Sequence, residues 1–161
     1  GRGSRNINII NKKIDHVYFN ESNKFIVQKF INGKEYTIDC VYNENFELIY
    51  FLPRERIISN GVSIVGKISN INYFNNFIND ISKYLKFCGP INFQVIVENI
   101  SKKIYLIEIN PRLSGGIIFS IKSGFNPIDV FIKNKIYKNK KNNIKLKNNL
   151  IYLRYFKSEL I

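Results

Sequence analysis

Hydrophobic and polar positions alternate over two short runs, 91–97 and 104–109, separated by the polar stretch Glu98–Lys103. Isoleucine, valine, phenylalanine and tyrosine dominate both runs, a pattern that predicts two strands joined by a short loop. A hairpin centred on Ser101 places Gln94 opposite Glu108 and Asn92 opposite Asn110. Side chains alternate between the two faces of a strand, so these four point the same way. Phe93, Val95, Val97, Tyr105, Ile107 and Ile109 take the opposite face and are predicted to enter a core.

The remaining pattern predicts elements on both sides of this hairpin. Residues 11–23 have mixed periodicity and read as a short helix around Ile14, Val17 and Tyr18. Residues 25–31, 35–42 and 46–58 read as strands of an antiparallel meander, with Asn32-Gly33 as a turn and 43–45 as a second connection. Ile71, Phe74, Phe77, Ile78, Ile81, Tyr84 and Leu85 recur at helical spacing, predicting a helix over 70–88. Asn70 is its expected N-cap and Gly89-Pro90 its stop. A short helix over 117–123 ends at Gly124, and Asn126-Pro127 opens another that runs to about residue 134. Residues 150–156 make a final strand. The fold class predicted is α+β, an antiparallel sheet backed by helices, in one domain.

Composition narrows the picture. The 161 residues are 45% hydrophobic, and no apolar run approaches the roughly 18–20 residues of a membrane helix. No membrane partner is therefore expected. The first residues are polar and no signal peptide is read, and Cys40 and Cys88 make no disulfide framework, so the expected compartment is the cytoplasm. One histidine, His16, excludes multi-histidine metal sites. The formal charge of +13 concentrates in the Lys- and Asn-rich run 133–147. Such a run is either a solvated tail or a phosphate-backbone surface. No nucleic-acid reading motif accompanies it, so no specific nucleic-acid partner is expected.

One face of the central hairpin carries a carboxylate, Glu108, and three amides, Asn92, Gln94 and Asn110, followed at once by Pro111-Arg112. Either this face is simply wet, or it is a site. Mg²⁺ takes oxygen ligands, commonly one or two carboxylates together with substrate phosphates. A guanidinium fork just past the strand suits phosphate or carboxylate. Arg54 and Arg56 flank Glu55 near a strand end. They could meet an anionic substrate, or pair with Glu55 or Asp39 at the surface.

Glu108-Ile109-Asn110-Pro111-Arg112, with Gln94 upstream and Ser114-Gly115-Gly116 behind, resembles the metal-binding signature of the ATP-grasp superfamily, in its carbamoyl-phosphate-synthase-like, carboxylate–amine ligase branch. The resemblance implies ATP as cofactor, with Mg²⁺ (or Mn²⁺) held by Gln94, Glu108 and Asn110, and Gln94 also at the nucleotide. It implies that Arg112 stabilises the transferring phosphoryl group. Arg56, Ser114, Gly115 and Gly116 would face the substrate. Gly1, Gly3 and Ser4 are similar to the glycine-rich loop over the ATP phosphates. Gln28, Lys29, Phe30 and Ile31 look like the hinge whose backbone pairs with the adenine edge, and Glu35 matches the acid on the ribose hydroxyls. The implied substrates are a small-molecule carboxylate and an amine, and a homo-oligomer is left open. On this resemblance residues 1–161 are a partial ATP-grasp domain, from glycine-rich loop to C-terminal lobe. Its upstream subdomain is absent from the chain, so the isolated chain is expected to be inactive. Two other classes stay open: a non-catalytic ATP-grasp-like binding or assembly module, and a basic nucleic-acid-binding protein.

Overall fold

The computed structural model describes residues 9, 26–137, 144–147 and 150–155. Among these residues six strands form one antiparallel sheet: β1 (Gly33–Tyr42), β2 (Leu48–Asn60), β3 (Val62–Ile68), β4 (Gly89–Glu98), β5 (Ile104–Asn110) and β6 (Ile151–Leu153). Their order across the sheet is β5-β4-β1-β2-β3-β6. Among the described residues the helices are α1 (Asn75–Tyr84), α2 (Ile117–Lys122) and α3 (Pro127–Tyr137), with a 3₁₀ turn, Ile71–Phe74, leading into α1. This is the expected α+β architecture. Among the described residues no helix is long and apolar enough to cross a membrane.

β1 lies inside the sheet with both faces covered, so Tyr36–Tyr42 is buried at every position and shows no clean alternation. On one face Ile38, Cys40, Tyr42, Phe93 and Val95 pack with Phe74 and Ile78 from the 3₁₀ turn and α1. The Tyr42 hydroxyl lies 2.8 Å from Ser82 Oγ and ties α1 to the sheet. On the other face Val41, Leu52 and Ile68 pack with Phe125 and Val130, the latter from α3. Asn70 caps the 3₁₀ turn, its side chain accepting from Asn72 N–H at 2.9 Å. Asn126 accepts from the Ile128 and Asp129 N–H groups ahead of Pro127, as an N-cap does.

Several expectations are corrected. Residues 26–32 form no strand. A strand needs a hydrogen-bonding neighbour, and both edges of the adjoining β1 are already taken by β2 and β4. The segment instead joins the hairpin loop, where Asn99 N–H donates to Asn32 O at 3.0 Å. The long helix ends at Tyr84, and Leu85 is extended, so residues 85–88 are an approach to β4. Tyr84 is exposed rather than core. β3 was not anticipated; it follows a turn at Gly61, whose φ of +67° suits glycine. The basic run is not wholly a tail: Lys133 and Lys135 lie on α3, paired to Asp129 at 2.8 Å and Glu44 at 2.7 Å. The short helix expected over 11–23 lies outside the described residues.

Burial raises the pKa of Tyr36, Tyr42 and Tyr50 above the ordinary 10.0, and that of the Cys40 thiol well above 9.0. The unfolded chain therefore loses these protons first. Their contribution to stability is complete below about pH 9 and is lost as pH rises through the unfolded and then the folded values. Urea midpoints should hold steady from pH 7 to 8.5 and fall steeply by pH 11. An unchanged midpoint at pH 11 would contradict the packing described for β1.

Candidate functional site

The register across β4 and β5 pairs Gln94 with Glu108 and Asn92 with Asn110. Cross-strand partners share a face, so the four meet on one side of the sheet. Gln94 Nε2 donates to Glu108 Oε1 at 3.4 Å, and Asn110 Nδ2 donates to the same oxygen. Asn110 Nδ2 also lies 3.4 Å from Asn92 Oδ1. Asn92 is buried, and its amide donates to the Arg112 carbonyl at 2.8 Å, fixing the backbone just past the strand. Arg112 is exposed at that rim, its Nη1 donating to the Leu113 carbonyl at 3.1 Å.

The opposite face of β5 departs from simple alternation. A bulge between Gln94 and Val95 pairs Val95 with Leu106 and Val97 with Ile104. The extra residue reverses the parity of the strand beyond it. Ile104 and Ile109 pack on the core, as Phe93, Val95 and Val97 do, while Ile107 is 47% exposed. The expectation that Tyr105 and Ile107 enter the core is therefore corrected.

Neighbouring strands extend the polar face. Thr37 of β1 stands beside Gln94 on one side and Arg54 of β2 on the other; Asp39 stands beside Asn92. Arg56 Nη1 donates to Gln94 Oε1 at 2.7 Å and lies 3.4 Å from Glu35 Oε2. Glu35, Arg56, Gln94, Glu108 and Asn110 thus form one continuous chain of contacts across four strands. Arg56 does not pair with Glu55, which takes Lys34 at 2.9 Å.

Arg54 corrects the sequence reading more sharply. It pairs with Asp39, but both are about 1% exposed, so the pair is buried rather than superficial. Arg54 Nε donates to Asp39 Oδ2 at 2.9 Å and Nη2 donates to Ser114 Oγ at 2.7 Å. Ser120 Oγ donates to the same Asp39 oxygen at 2.5 Å. The Ser114–Gly116 turn therefore rests on a buried guanidinium, and the Ser114 hydroxyl is turned inward to accept from it. A Cβ on Gly116 would stand 2.6 Å from Arg54 Nη1. Glycine is what lets the turn lie this close.

Among the other expected positions, Gln28, Lys29 and Phe30 are exposed and Ile31 is half-buried, all without regular structure. Gly1, Gly3 and Ser4 lie outside the described residues. Asp39, Arg54 and Ser120 were not foreseen as a supporting layer. An acid inside the apolar run of β1 was the available signal, because a buried carboxylate requires a partner.

The donor set fits a hard cation. Among the described residues no group of three or more His, Cys, Asp or Glu side chains gathers as a metal site. This face offers instead one central carboxylate and amide oxygens. That set suits Mg²⁺, whose sites commonly combine one or two carboxylates with phosphate oxygens and water.

An antiparallel sheet with helices on both faces and an E-I-N-P-R strand end defines the C-terminal lobe of an ATP-grasp fold. The family described as "ATP-grasp in the biosynthetic pathway with Ter operon" matches residues 21–157, and the chain belongs to it. No curated protein sequence matches the chain. Among solved structures, N5-carboxyaminoimidazole synthetase from Staphylococcus aureus is 20% identical with a TM-score of 0.57, over 78% of this chain and 34% of that one. Biotin carboxylase from Campylobacter jejuni is 18% identical with a TM-score of 0.62, over 79% of this chain and 31% of that one. Carboxyaminoimidazole ribonucleotide synthase from Aspergillus clavatus, solved with ATP, is 12% identical with a TM-score of 0.59, over 74% and 33%. These likenesses are of fold, and the chain spans about a third of the length of each structure.

Proposed function

We propose that the protein is the ATP- and Mg²⁺-binding part of an ATP-grasp ligase that activates a carboxylate as an acylphosphate for attack by an amine or similar nucleophile. The observation that supports this most is the convergence of Gln94, Glu108 and Asn110 on one face, with Arg112 at its rim. Gln94, Glu108 and Asn110 would hold Mg²⁺, which when bound offsets charge on phosphate oxygens. Arg56 abuts Gln94 and Glu35 in turn meets Arg56, which extends the face along β1 and β2, where the nucleotide would lie. The structures solved with ATP from A. clavatus and with ADP from S. aureus share this fold, which supports a nucleotide as the ligand.

In the proposed reaction a carboxylate oxygen attacks the γ-phosphorus, the bond to the ADP oxygen breaks, and an acylphosphate forms. The amine then attacks the acyl carbon, expels phosphate and loses a proton. Arg112 is placed to offset charge on the phosphoryl oxygens as they move, without itself giving up a proton. The buried Arg54–Asp39 pair holds the Ser114–Gly116 turn beside it. Positioning and charge neutralisation carry such chemistry.

Hydroxylamine trapping tests the reaction class. With Mg-ATP, a panel of carboxylates and hydroxylamine, a protein carrying this chain within a whole ATP-grasp domain should release ADP and form hydroxamate in equal amounts, both requiring the cation. Release of AMP and pyrophosphate would indicate acyl-adenylate chemistry and contradict the reading.

A further inference from the structure

A cavity of 530 Å³ is lined from α2, from β6 and from the segments on either side of β6. Such a volume lies within the roughly 300–1,000 Å³ typical of small-molecule sites. Phe119, Tyr152 and Leu153 line it with apolar surface, and Tyr152 stacks on the Phe119 ring with centroids 5.7 Å apart. Lys122, Lys147 and Arg154 also line it, and among the described residues no Asp or Glu does. The Tyr152 hydroxyl is buried behind this wall rather than open to the cavity.

Arg154 connects this cavity to the candidate site. Its backbone N–H donates to Ile64 O at 2.8 Å, which anchors the residue beside β3. Nη2 donates to the Gly115 carbonyl at 2.7 Å, and the guanidinium lies 5.9 Å from the Phe119 ring centroid. Arg154 makes no ion pair among the described residues. One of its five donors is spent on Gly115, within the turn that rests on Arg54. Three cations around an aromatic wall ask for an anion carried on an apolar body. The planar fork of Arg154 matches a carboxylate.

We infer that this cavity receives the carboxylate substrate, as an organic acid with an aromatic or aliphatic body, Arg154 meeting the carboxylate and Phe119 and Tyr152 the body. The inference rests on the ligase reading and adds a substrate class to it. Arg154 then acts from the Gly115 side of the turn, with Arg112 at the other end of the same short segment.

Calorimetric titration with phenylbutyrate, phenylbutanol and phenylbutylamine tests the assignment. The acid should bind at least about tenfold more tightly than the alcohol, as a charge-assisted contact predicts, and the amine more weakly still. Arg154→Leu should reduce the acid's affinity by about tenfold while leaving that of the alcohol unchanged, and Arg154→Lys should restore part of the loss. The double change Lys122→Gln and Lys147→Gln, at exposed positions that the fold tolerates, should weaken the acid in the same direction. It decides the question should Arg154→Leu fail to fold. Equal affinity for acid, alcohol and amine overturns the inference. So does an acid affinity that neither variant alters. Mg-ATP binding measured in the same samples judges the ligase reading separately: Glu108→Gln should lose nucleotide yet keep phenylbutyrate, and the Arg154 variants should do the reverse.

Discussion

Glu108→Gln is expected to weaken magnesium-dependent binding of ATP by at least about a hundredfold and to leave the fold intact. Replacing groups that merely support metal ligands costs about 10–100-fold in affinity or activity, so loss of the central carboxylate should cost no less. The substitution keeps the side-chain length and an oxygen that can accept from Gln94 and Asn110, and Glu108 is exposed. Its effect on stability should fall within about 0.5 kcal/mol, as for an ordinary surface change. Titration of ATP with and without Mg²⁺, alongside urea denaturation, separates the two effects. If the face were only wet surface, both measurements would be unmoved. A large loss of stability with nucleotide affinity retained would instead make Glu108 a structural residue.

The opposite profile is expected one layer down. Asp39→Asn or Arg54→Met should each destabilise the protein by about 3–5 kcal/mol, because either leaves a charged or polar partner buried and uncompensated. That is a large share of the roughly 5–15 kcal/mol by which domains are stable. Asp39 Oδ1 and Arg54 Nη1 are already buried without partners, and either charge left alone would keep only a neutral serine hydroxyl, Ser120 or Ser114. The double variant, Asp39→Leu with Arg54→Met, should lose clearly less than the sum of the singles, since no lone charge is left behind. Denaturation of all four proteins makes a thermodynamic cycle. Strict additivity would show that the two side chains do not depend on each other. The turn at Ser114–Gly116 should loosen in both single variants, because Arg54 holds Ser114 and packs under Gly116.

The hairpin was legible because its polar positions recur in step: Asn92 and Gln94 on one run, Glu108 and Asn110 on the other. Two-residue periodicity and one loop centre sufficed to set the pairing. The bulge beside Gln94 was not legible, since Leu106, Ile107 and Ile109 are all apolar and fit either parity. Its consequence is local: the site face keeps its register while Ile107 turns outward. β3 escaped notice because V-S-I-V-G-K-I is short and contains Gly66. That glycine makes room for another element, as a Cβ there would stand 3.0 Å from the Phe119 ring. Residues 26–31 carry the composition of a strand, but both sides of the adjoining β1 are already paired, with β2 and β4. The charge of Arg54 and Asp39 suggested a surface pair; their burial depends on α2 and the Ser114 turn closing over β1 and β2, which no local pattern shows.

The family and the fold were foreshadowed by five consecutive residues, Glu108 to Arg112, because the chemistry they imply needs those types at a strand end. The supporting layer and the cavity beside β6 depend on residues far apart in sequence: Asp39 with Ser120, and Gly115 with Arg154. Proximity of that kind becomes visible only once the sheet is assembled.

The central claim is that a divalent cation sits among Gln94, Glu108 and Asn110 when nucleotide is bound. Paramagnetic broadening by Mn²⁺ tests it at the atoms concerned. In ¹⁵N-labelled protein with ADP present, substoichiometric Mn²⁺ should erase the side-chain amide signals of Gln94, Asn92 and Asn110 before those of other asparagines and glutamines. The same titration of Glu108→Gln should leave these signals sharp. If Mn²⁺ with ADP broadens amides elsewhere while Gln94 and Asn110 remain sharp in the unaltered protein, the metal site is not on this face.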